Sequence, residues 1–585
     1  MPTDRAPGRP HSTTPTRPGA PALGEPKACA WCEPWAPTLT LILLVMVGRL
    51  VYLAWFSPYA LVEDEAHYWE WSRRLDWSYY SKGPGVAWAI ALAGRVFSWV
   101  PGASAELAVR GLAPVFGALL SLGVAGLARS AFRDGRAGFY AALVTCLIPV
   151  FQALGLLMTI DGPFAACWAL AAWFAWLGLT RGGFGWWSAF GLAVAWGFLF
   201  KYTAVLILPG VAVYAWLLRP RMARAGRVPG RGELGRSRFG GAVGVSIALL
   251  GLLPVAIWNA QHDWATVRHL LGHLGLPGSD LPPAQVESRS FVPNGLLLLE
   301  FLGLQLALVG PAVVLMIYSF ARALRPRAGE PVPSADPVPG AWFALCTGLP
   351  VLLGYLVISP WVRVEGNWTL AGYVTLSSVA GWGVVRALDL RRARGRGSGI
   401  EHRLAAWRVT WVVGVIVGLG MLRVDLLTRV PGVGGLIPIG RVFSGVHMAN
   451  GVRTELERMR ESGANDPFVI VQHYGRASLL AFYLPGQPTV YGASSYLAGR
   501  TTQYDVFPET DLRRADVFER LRGRDAVGVG ATGAQWLEGF RELEPLGKIL
   551  GDHKRMETFR LYGYIGFPSA AHEPWDAHDA PGGEP

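Results

Sequence analysis

The run Pro84-Gly85-Val86-Ala87-Trp88-Ala89-Ile90-Ala91-Leu92-Ala93-Gly94-Arg95-Val96-Phe97-Ser98-Trp99-Val100 sets the topology of the whole chain. It is apolar, yet shorter than the roughly 20 residues a helix needs to cross the hydrocarbon, and it carries Arg95. The remaining apolar runs fall near 36–56, 106–129, 137–157, 162–180, 185–200, 202–219, 241–259, 297–320, 341–358, 369–387 and 407–424. That makes about eleven expected spans. Basic residues gather in every second connection. They are Arg5, Arg9, Arg17 and Lys27, then Arg129, Arg133 and Arg136, then Arg181. The series continues with Arg219 through Arg238, with Arg322, Arg325 and Arg327, and with Arg386 through Arg403. Connections of this kind face the cytoplasm. Were Pro84–Val100 a span, every later cluster would face outward. It therefore reads as an amphipathic helix at the outer interface, or as a re-entrant segment. The N-terminus is expected inside and the segment after the last span outside.

The totals agree with a membrane chain. Of 585 residues, 52% are hydrophobic and only 16% charged, where soluble domains are nearer a quarter charged. The net charge of +12 resides in the alternating clusters rather than on one folded face, so a nucleic-acid partner is not expected. Residues 1–35, rich in Pro, Thr and Arg, read as a disordered cytosolic tail. The first apolar run has no small-residue cleavage site and reads as an anchor. Residues 36–424 form the expected membrane domain. Residues 425–567 change character, with helical patterns at Gly451–Ser462 and Asp511–Arg522. Short apolar strands are expected at Phe468–His473, Thr489–Gly492, Ala526–Val529 and Phe559–Ile565. This is an expected extracytoplasmic α/β domain, followed by a polar tail at 568–585. The five cysteines make no disulfide framework; Cys29 and Cys32 are half of a zinc set and read as ordinary thiols.

Polar chemistry accumulates in the outer loops. The first contains Glu63-Asp64-Glu65-Ala66-His67-Tyr68-Trp69 and then Tyr79-Tyr80-Ser81-Lys82-Gly83-Pro84. Asp161, in Asp161-Gly162-Pro163, lies at an outer turn on the same side as Asp64. Lys201 sits at the outer junction of two apolar runs, where an ionisable group is costly and a functional candidate. Bland readings exist for each: a helix start for Asp64, a cap for Asp161, a snorkelling side chain for Lys201. Ranked below them are Glu65, His262, Asp263, Arg268, Arg363, Glu365 and Asn367, all in outer loops. A base beside cations suits attack on a sugar already bonded to a lipid phosphate. Asp64 would take the acceptor hydroxyl proton, aided by Asp161, while Lys82 and Lys201 hold the departing phosphate. A single displacement would invert the anomeric centre. Asp64, Glu65 and Asp161 could also hold a divalent metal, although their spacing is not diagnostic.

At these residues the chain resembles the protein O-mannosyltransferase and lipid A aminoarabinose transferase superfamily. The resemblance rests on Asp64-Glu65-Ala66-His67-Tyr68-Trp69, the Lys82 turn, Asp161-Gly162-Pro163, Lys201-Tyr202-Thr203-Ala204 and Trp258-Asn259-Ala260-Gln261-His262-Asp263-Trp264. It covers about residues 36–390. The implied fold is the α-helical polytopic GT-C type, with interfacial helices in the first outer loop. The implied activity is sugar transfer from a polyprenyl-phosphate donor at the outer face of the cytoplasmic (inner) membrane. The resemblance implies Asp64 as the base, Asp161 as the second-loop aspartate, and Lys82, Lys201, Tyr68 and Tyr80 near the donor phosphate. The acceptor, whether lipid, protein or another glycan, stays open. One departure is that Lys82 is followed by Gly83-Pro84, where the family has Pro-Pro. A transporter or lipid flippase is the rival reading. It would bring charges and broken helices to mid-membrane, often in paired halves. Here the charges gather at one face.

Overall fold

The computed structural model describes residues 35–225, 234–274, 280, 292–325, 336–394, 398–427, 443–497, 499–551 and 554–568. The two expected tails, apart from Trp35 and Pro568, and the Cys29/Cys32 pair lie outside the described residues.

The chain begins with α1 (Ala36–Trp55), α2 (Glu63–Ser72), α3 (Gly85–Phe97), α4 (Leu107–Arg110) and α5 (Ala113–Phe132). Next come α6 (Gly135–Leu147), α7 (Pro149–Leu154), α8 (Asp161–Arg181) and α9 (Phe184–Phe200). A 3-10 turn at Tyr202–Leu206 leads into α10 (Ile207–Val213) and α11 (Arg219–Arg224). Beyond these lie α12 (Leu234–Leu250), α13 (Leu253–Gln261), α14 (Ala265–Leu274), α15 (Gly295–Val309) and α16 (Ala312–Leu324). The membrane part closes with α17 (Val338–Ile358), α18 (Leu370–Arg394), α19 (Ser398–Leu422) and α20 (Val424–Leu427).

Among the described residues, seven helical stretches are long and apolar enough to cross a bilayer. These are Ala36–Trp55, Leu107–Phe132, Asp161–Arg181, Tyr202–Arg224, Phe239–Gln261, Val338–Ile358 and Glu401–Leu422. The span expected at 297–320 is corrected: it is two helices, α15 and α16, meeting at 88°. The break falls at Gly310-Pro311, where Gly310 adopts φ +63° and Pro311 has no N–H to continue the ladder. Counted together, the bent pair makes an eighth. The other three expected spans are helical but fall short of that test. Pro149 interrupts α6 and α7, α9 has 17 residues, and α18 carries Arg386, Asp389, Arg391, Arg392 and Arg394 in its last turns. α3, with 13 residues, is about 20 Å long, too short for hydrocarbon about 30 Å thick.

Helices α5, α6, α8, α9 and α18 pack into the core of this part. Small residues let them approach closely. A Cβ on Gly123 would stand 2.7 Å from the Ala169 backbone, so α5 and α8 meet there backbone to backbone. The two ends of the bundle differ. At one end Arg136 bridges Asp134 at 3.0 Å and Asp389 at 2.8 Å, joining two of the basic clusters. At the other end lie α2, α3, Asp161, Lys201 and the Gly366–Thr369 turn.

The C-terminal part comprises α21 (Ser444–Glu461), β1 (Phe468–Val471), α22 (Tyr474–Tyr483), β2 (Tyr491–Gly492) and α23 (Ala515–Leu521). It ends with β3 (Ala526–Val529), α24 (Gly533–Trp536), β4 (Phe540–Gly551) and β5 (Lys554–Tyr564). The five strands form one sheet in the order β2-β1-β3-β5-β4. β1 runs parallel to β2 and β3, while β5 is antiparallel to β3 and β4. Sequence patterning located β1, β2, β3 and β5 but not β4. Arg541, Glu542, Glu544 and Pro545 hide its periodicity, and a register shift between Pro545 and Gly547 breaks the alternation. β4 tolerates these residues because it is an edge strand.

This domain sits directly on the first loop. The Tyr483 hydroxyl accepts the Leu61 N–H at 2.7 Å and donates to Glu106 at 2.8 Å. His67 Nδ1 and Ser478 Oγ are 3.2 Å apart, and α22 packs along α2. At Gly475 a Cβ would come within 2.6 Å of Glu63 Cβ, so the start of α22 touches the residue before Asp64.

Candidate active site

The site is built from the first turn of α2 outward. Glu63, Asp64 and Glu65 crowd that turn, where the helix dipole favours carboxylates. Their fates then diverge. Glu65 is fully buried and gripped by Arg110, at 2.9 Å from Nε and 2.5 Å from Nη2. It also accepts the N–H of Met158 at 2.8 Å and that of Val62 at 3.2 Å. Arg110 donates further to the carbonyls of Tyr59 and Ala60. Glu65 therefore ties α2 to α4 and to the segment that reaches Asp161 three residues later. Glu65, expected among the site residues, thus lies fully buried with its carboxylate held by Arg110 and two backbone N–H groups.

Asp161 opens α8. Its Oδ1 accepts from Lys201 Nζ at 2.7 Å and its Oδ2 from Asn367 Nδ2 at 2.7 Å. Lys201 caps the C-terminus of α9, with its ammonium 5.5 Å from the centre of the Phe164 ring. Asn367 comes from the Gly366–Thr369 turn before α18. Three separate segments thus close on one carboxylate.

Lys82 enters from the other side. Its backbone carbonyl accepts the Tyr79 N–H at 3.1 Å and the Ser78 hydroxyl at 3.3 Å, which folds residues 78–82 into a turn. Gly83 lies flat against the Leu199 carbonyl, with which any Cβ there would collide. The Lys82 turn is thereby pressed onto the end of α9, two residues before Lys201. The glycine in this turn permits that contact.

The four charges feel one another. Crowding by protein raises the proton affinity of Asp64, reinforced by Glu63, Asp161 and Glu65 and opposed by Lys82. Desolvation lowers that of Lys82, with Lys201 adding to the effect and Asp161 and Asp64 opposing it. Asp64 is at once open to solvent and hemmed in by protein on its flanks, as expected at the mouth of a cleft. Among the described residues, neither the Asp64 carboxylate nor the Lys82 ammonium makes a hydrogen bond. One turn beyond Asp64, Tyr68 is 8% exposed, and burial, together with Asp64 and Asp161, keeps its phenol protonated. The arrangement offers a free carboxylate to take a proton and a free ammonium to hold an anion. Beside them stands a preassembled Lys201–Asp161–Asn367 set.

Comparison with known proteins agrees with this architecture. Residues 81–258 match the family model described as dolichyl-phosphate-mannose-protein mannosyltransferase. Over 348 residues the chain is 28% identical to the lipid A galacturonosyltransferase RgtD of Rhizobium johnstonii. That alignment spans 58% of this chain and 64% of the relative. ArnT from Cupriavidus metallidurans, in its crystal structure bound to undecaprenyl phosphate, superposes with a TM-score of 0.57 at 17% identity. The superposition covers 91% of this chain and 99% of that one. The apo form of ArnT gives a TM-score of 0.55, also at 17% identity, over 90% of this chain and 97% of that one. The chain shares the fold of ArnT, the GT-C fold.

Within this fold the remaining sequence candidates separate. Tyr80, expected near the donor phosphate, instead donates its hydroxyl to Asp280 at 2.7 Å. His262 stacks on Trp258 with ring centres 4.0 Å apart, and its Nδ1 lies 2.8 Å from the Trp258 carbonyl. Asp263 and Trp264 both have left-handed backbone angles and turn the chain from α13 into α14. Asp263 and, on α14, Arg268 are exposed. Arg363 forms a surface ion pair with Glu300 at 2.6 Å, and Glu365 is exposed beside it. These residues shape the loops around the cluster. Among the described residues, no group of three or more His, Cys, Asp or Glu side chains is arranged to hold a metal. The three-carboxylate set considered for a divalent ion is not assembled, because Glu65 turns into Arg110 and Asp161 toward Lys201.

Sequence reasoning missed Arg110 and Gln503. Arg110 stands at the head of an apolar run, where a lone charge signals a buried partner. Gln503 lies 423 residues from the Tyr80 N–H it accepts, and nothing in its local sequence marks that partner.

Proposed function

We propose that this protein is an inverting glycosyltransferase that moves a sugar from a polyprenyl-phosphate donor to a hydroxyl acceptor. The observation that carries this reading is the free Asp64 carboxylate beside the free Lys82 ammonium, next to the Lys201–Asp161–Asn367 set. The acceptor oxygen attacks the anomeric carbon as Asp64 takes its proton. The bond from that carbon to the phosphate oxygen breaks with its electron pair, and the polyprenyl phosphate leaves as an anion held by Lys82. Lys201, already neutralised in part by Asp161, orients that carboxylate toward the sugar or acceptor and adds positive potential. No general acid is needed, since the phosphate is a good leaving group.

Two further features support a lipid-linked donor. An apolar cavity of about 470 Å³ begins at Gly85, three residues past Lys82, and is lined by Trp88, Phe116, Leu170, Trp196 and Phe200 among others. A polyprenyl chain suits such walls. The ArnT crystal structure contains undecaprenyl phosphate, and the relative RgtD acts on lipid A. The alternating basic clusters support an outer-face site in the cytoplasmic membrane, with the N-terminus inside and the sheet domain outside. The test is incubation of purified protein with radiolabelled polyprenyl-phosphate sugars and cell-envelope fractions. Wild type should transfer label, and Asp64→Asn should lose roughly 10²–10⁴-fold, the usual contribution of a general base. Full activity in Asp64→Asn would remove the assignment, while label released as free sugar would make the enzyme a hydrolase.

A further inference from the structure

The turn that carries Lys82 is held from outside the membrane part. Tyr80, two residues earlier, is 4% exposed, and its backbone N–H donates to Gln503 Oε1 at 2.7 Å. Gln503 is itself 3% exposed and opens a 3-10 turn whose first N–H groups are tied down by Thr502 and Asp505. At its other end, the Tyr80 hydroxyl donates to Asp280 Oδ2 at 2.7 Å. Arg500 Nη2 meets Asp280 Oδ1 at 2.5 Å, and His269 Nδ1 lies 2.9 Å from Oδ2. One tyrosine is thus fastened at backbone and ring by Gln503 and Arg500 of the C-terminal domain, and by Asp280 after α14. The Thr266 hydroxyl adds a bond to the Tyr79 carbonyl at 3.3 Å.

The Lys82 ammonium makes no hydrogen bond among the described residues, so its position depends on where the Lys82 backbone is held. Gly83 presses the turn against Leu199 on one side. The Tyr80 clasp holds it on the other. We propose that Gln503 and Arg500 are positioning residues for Lys82, so that the C-terminal domain completes the phosphate-binding half of the site. The inference rests on the reading of Lys82 as the phosphate-binding group. A Gln503 side chain turned to a buried N–H in another domain has no other evident task. A gap of one ångström at a point charge is enough to matter for a ligand held by that charge.

The experiment uses the full chain in lipid nanodiscs and two probes, undecaprenyl phosphate and undecaprenol, which differ only in the phosphate. Wild type should bind the phosphate at least tenfold more tightly than the alcohol, and Lys82→Met should abolish that preference. Gln503→Met, which keeps volume but removes the acceptor, should cut the preference at least fivefold and leave undecaprenol binding unchanged. Tyr80→Phe serves as a second variant that keeps the ring. On a Lys82→Met background neither change should cost anything more, because both act through the lysine. An undiminished preference in both variants overturns the inference and leaves the proposed function standing, as do losses that add to that of Lys82→Met. A wild type blind to the phosphate overturns both.

Discussion

At the scale of single residues, the decisive contrast is between Asp64 and Glu65. They are neighbours in one helical turn, yet Glu65 is sealed by Arg110 while Asp64 is left unbonded. Free carboxylate and free ammonium are coupled, and the coupling has a consequence for pH. Asp64 acts only when deprotonated, and its proton affinity is raised, first by crowding and then by Glu63 and Asp161. The rate should therefore fall on acidification at a pH above the ordinary glutamate and aspartate range of about 4. Lys82 acts only when protonated, and desolvation, then Lys201, lowers its affinity. Activity should fall on the alkaline side below the ordinary lysine value of about 10.4. Replacing Lys82 by arginine should move that alkaline limb upward, since guanidinium does not titrate in this range. A pH–rate profile with limbs at unperturbed values would contradict this account.

At the scale of elements, the Glu65–Arg110 pair keeps α2, α4 and the Met158–Asp161 segment in register. Removing one partner of a buried pair leaves the other uncompensated, which costs about 3–5 kcal/mol. Arg110→Met should lower the thermal unfolding midpoint and reduce activity together, because the segments bearing Asp64 and Asp161 lose their common anchor. Replacing both by apolar residues (Glu65→Leu with Arg110→Met) should restore much of the stability. Activity should recover less, as the bond to the Met158 N–H is still missing. Stability in Arg110→Met equal to wild type, measured by thermal unfolding in detergent, would show that the pair is dispensable. The α15–α16 bend belongs to this scale too: a helix pair that turns 88° at Gly310-Pro311 shapes the space beside the Asn367 turn instead of simply crossing.

At the scale of the whole molecule, charge is segregated by end. Arg136 and Asp389 join basic clusters at one end, while the acid–lysine site and the sheet domain occupy the other. Labelling can test the membrane orientation proposed for these ends. Cysteine introduced at Ser98, in the first loop, should react with an impermeant maleimide in intact cells. Cysteine introduced at Arg391 should react only after permeabilisation. Equal labelling of both positions in intact cells would refute the orientation. Both variants are made with Cys29 and Cys32 replaced by serine, and native Cys146, Cys167 and Cys346 lie within helices and should give little background.

Much of this was legible in the residues alone, since hydrophobic run length and the alternation of arginines are local quantities. They revealed a polytopic helical chain and a separate C-terminal α/β region, and they gave the expectation that Asp64, Asp161, Lys82 and Lys201 share one face. They could not reveal that 297–320 bends, because a Gly-Pro pair inside an apolar run fits either a kink or a full turn. β4 escaped because an edge strand needs no apolar alternation. The partners of Glu65, Tyr80 and Asp161 stayed hidden for one reason: Arg110, Asp280 and Asn367 are brought to them by long-range packing. Whether a carboxylate is sealed in an ion pair or left free for chemistry is a property of the assembled fold, not of its neighbours in the chain.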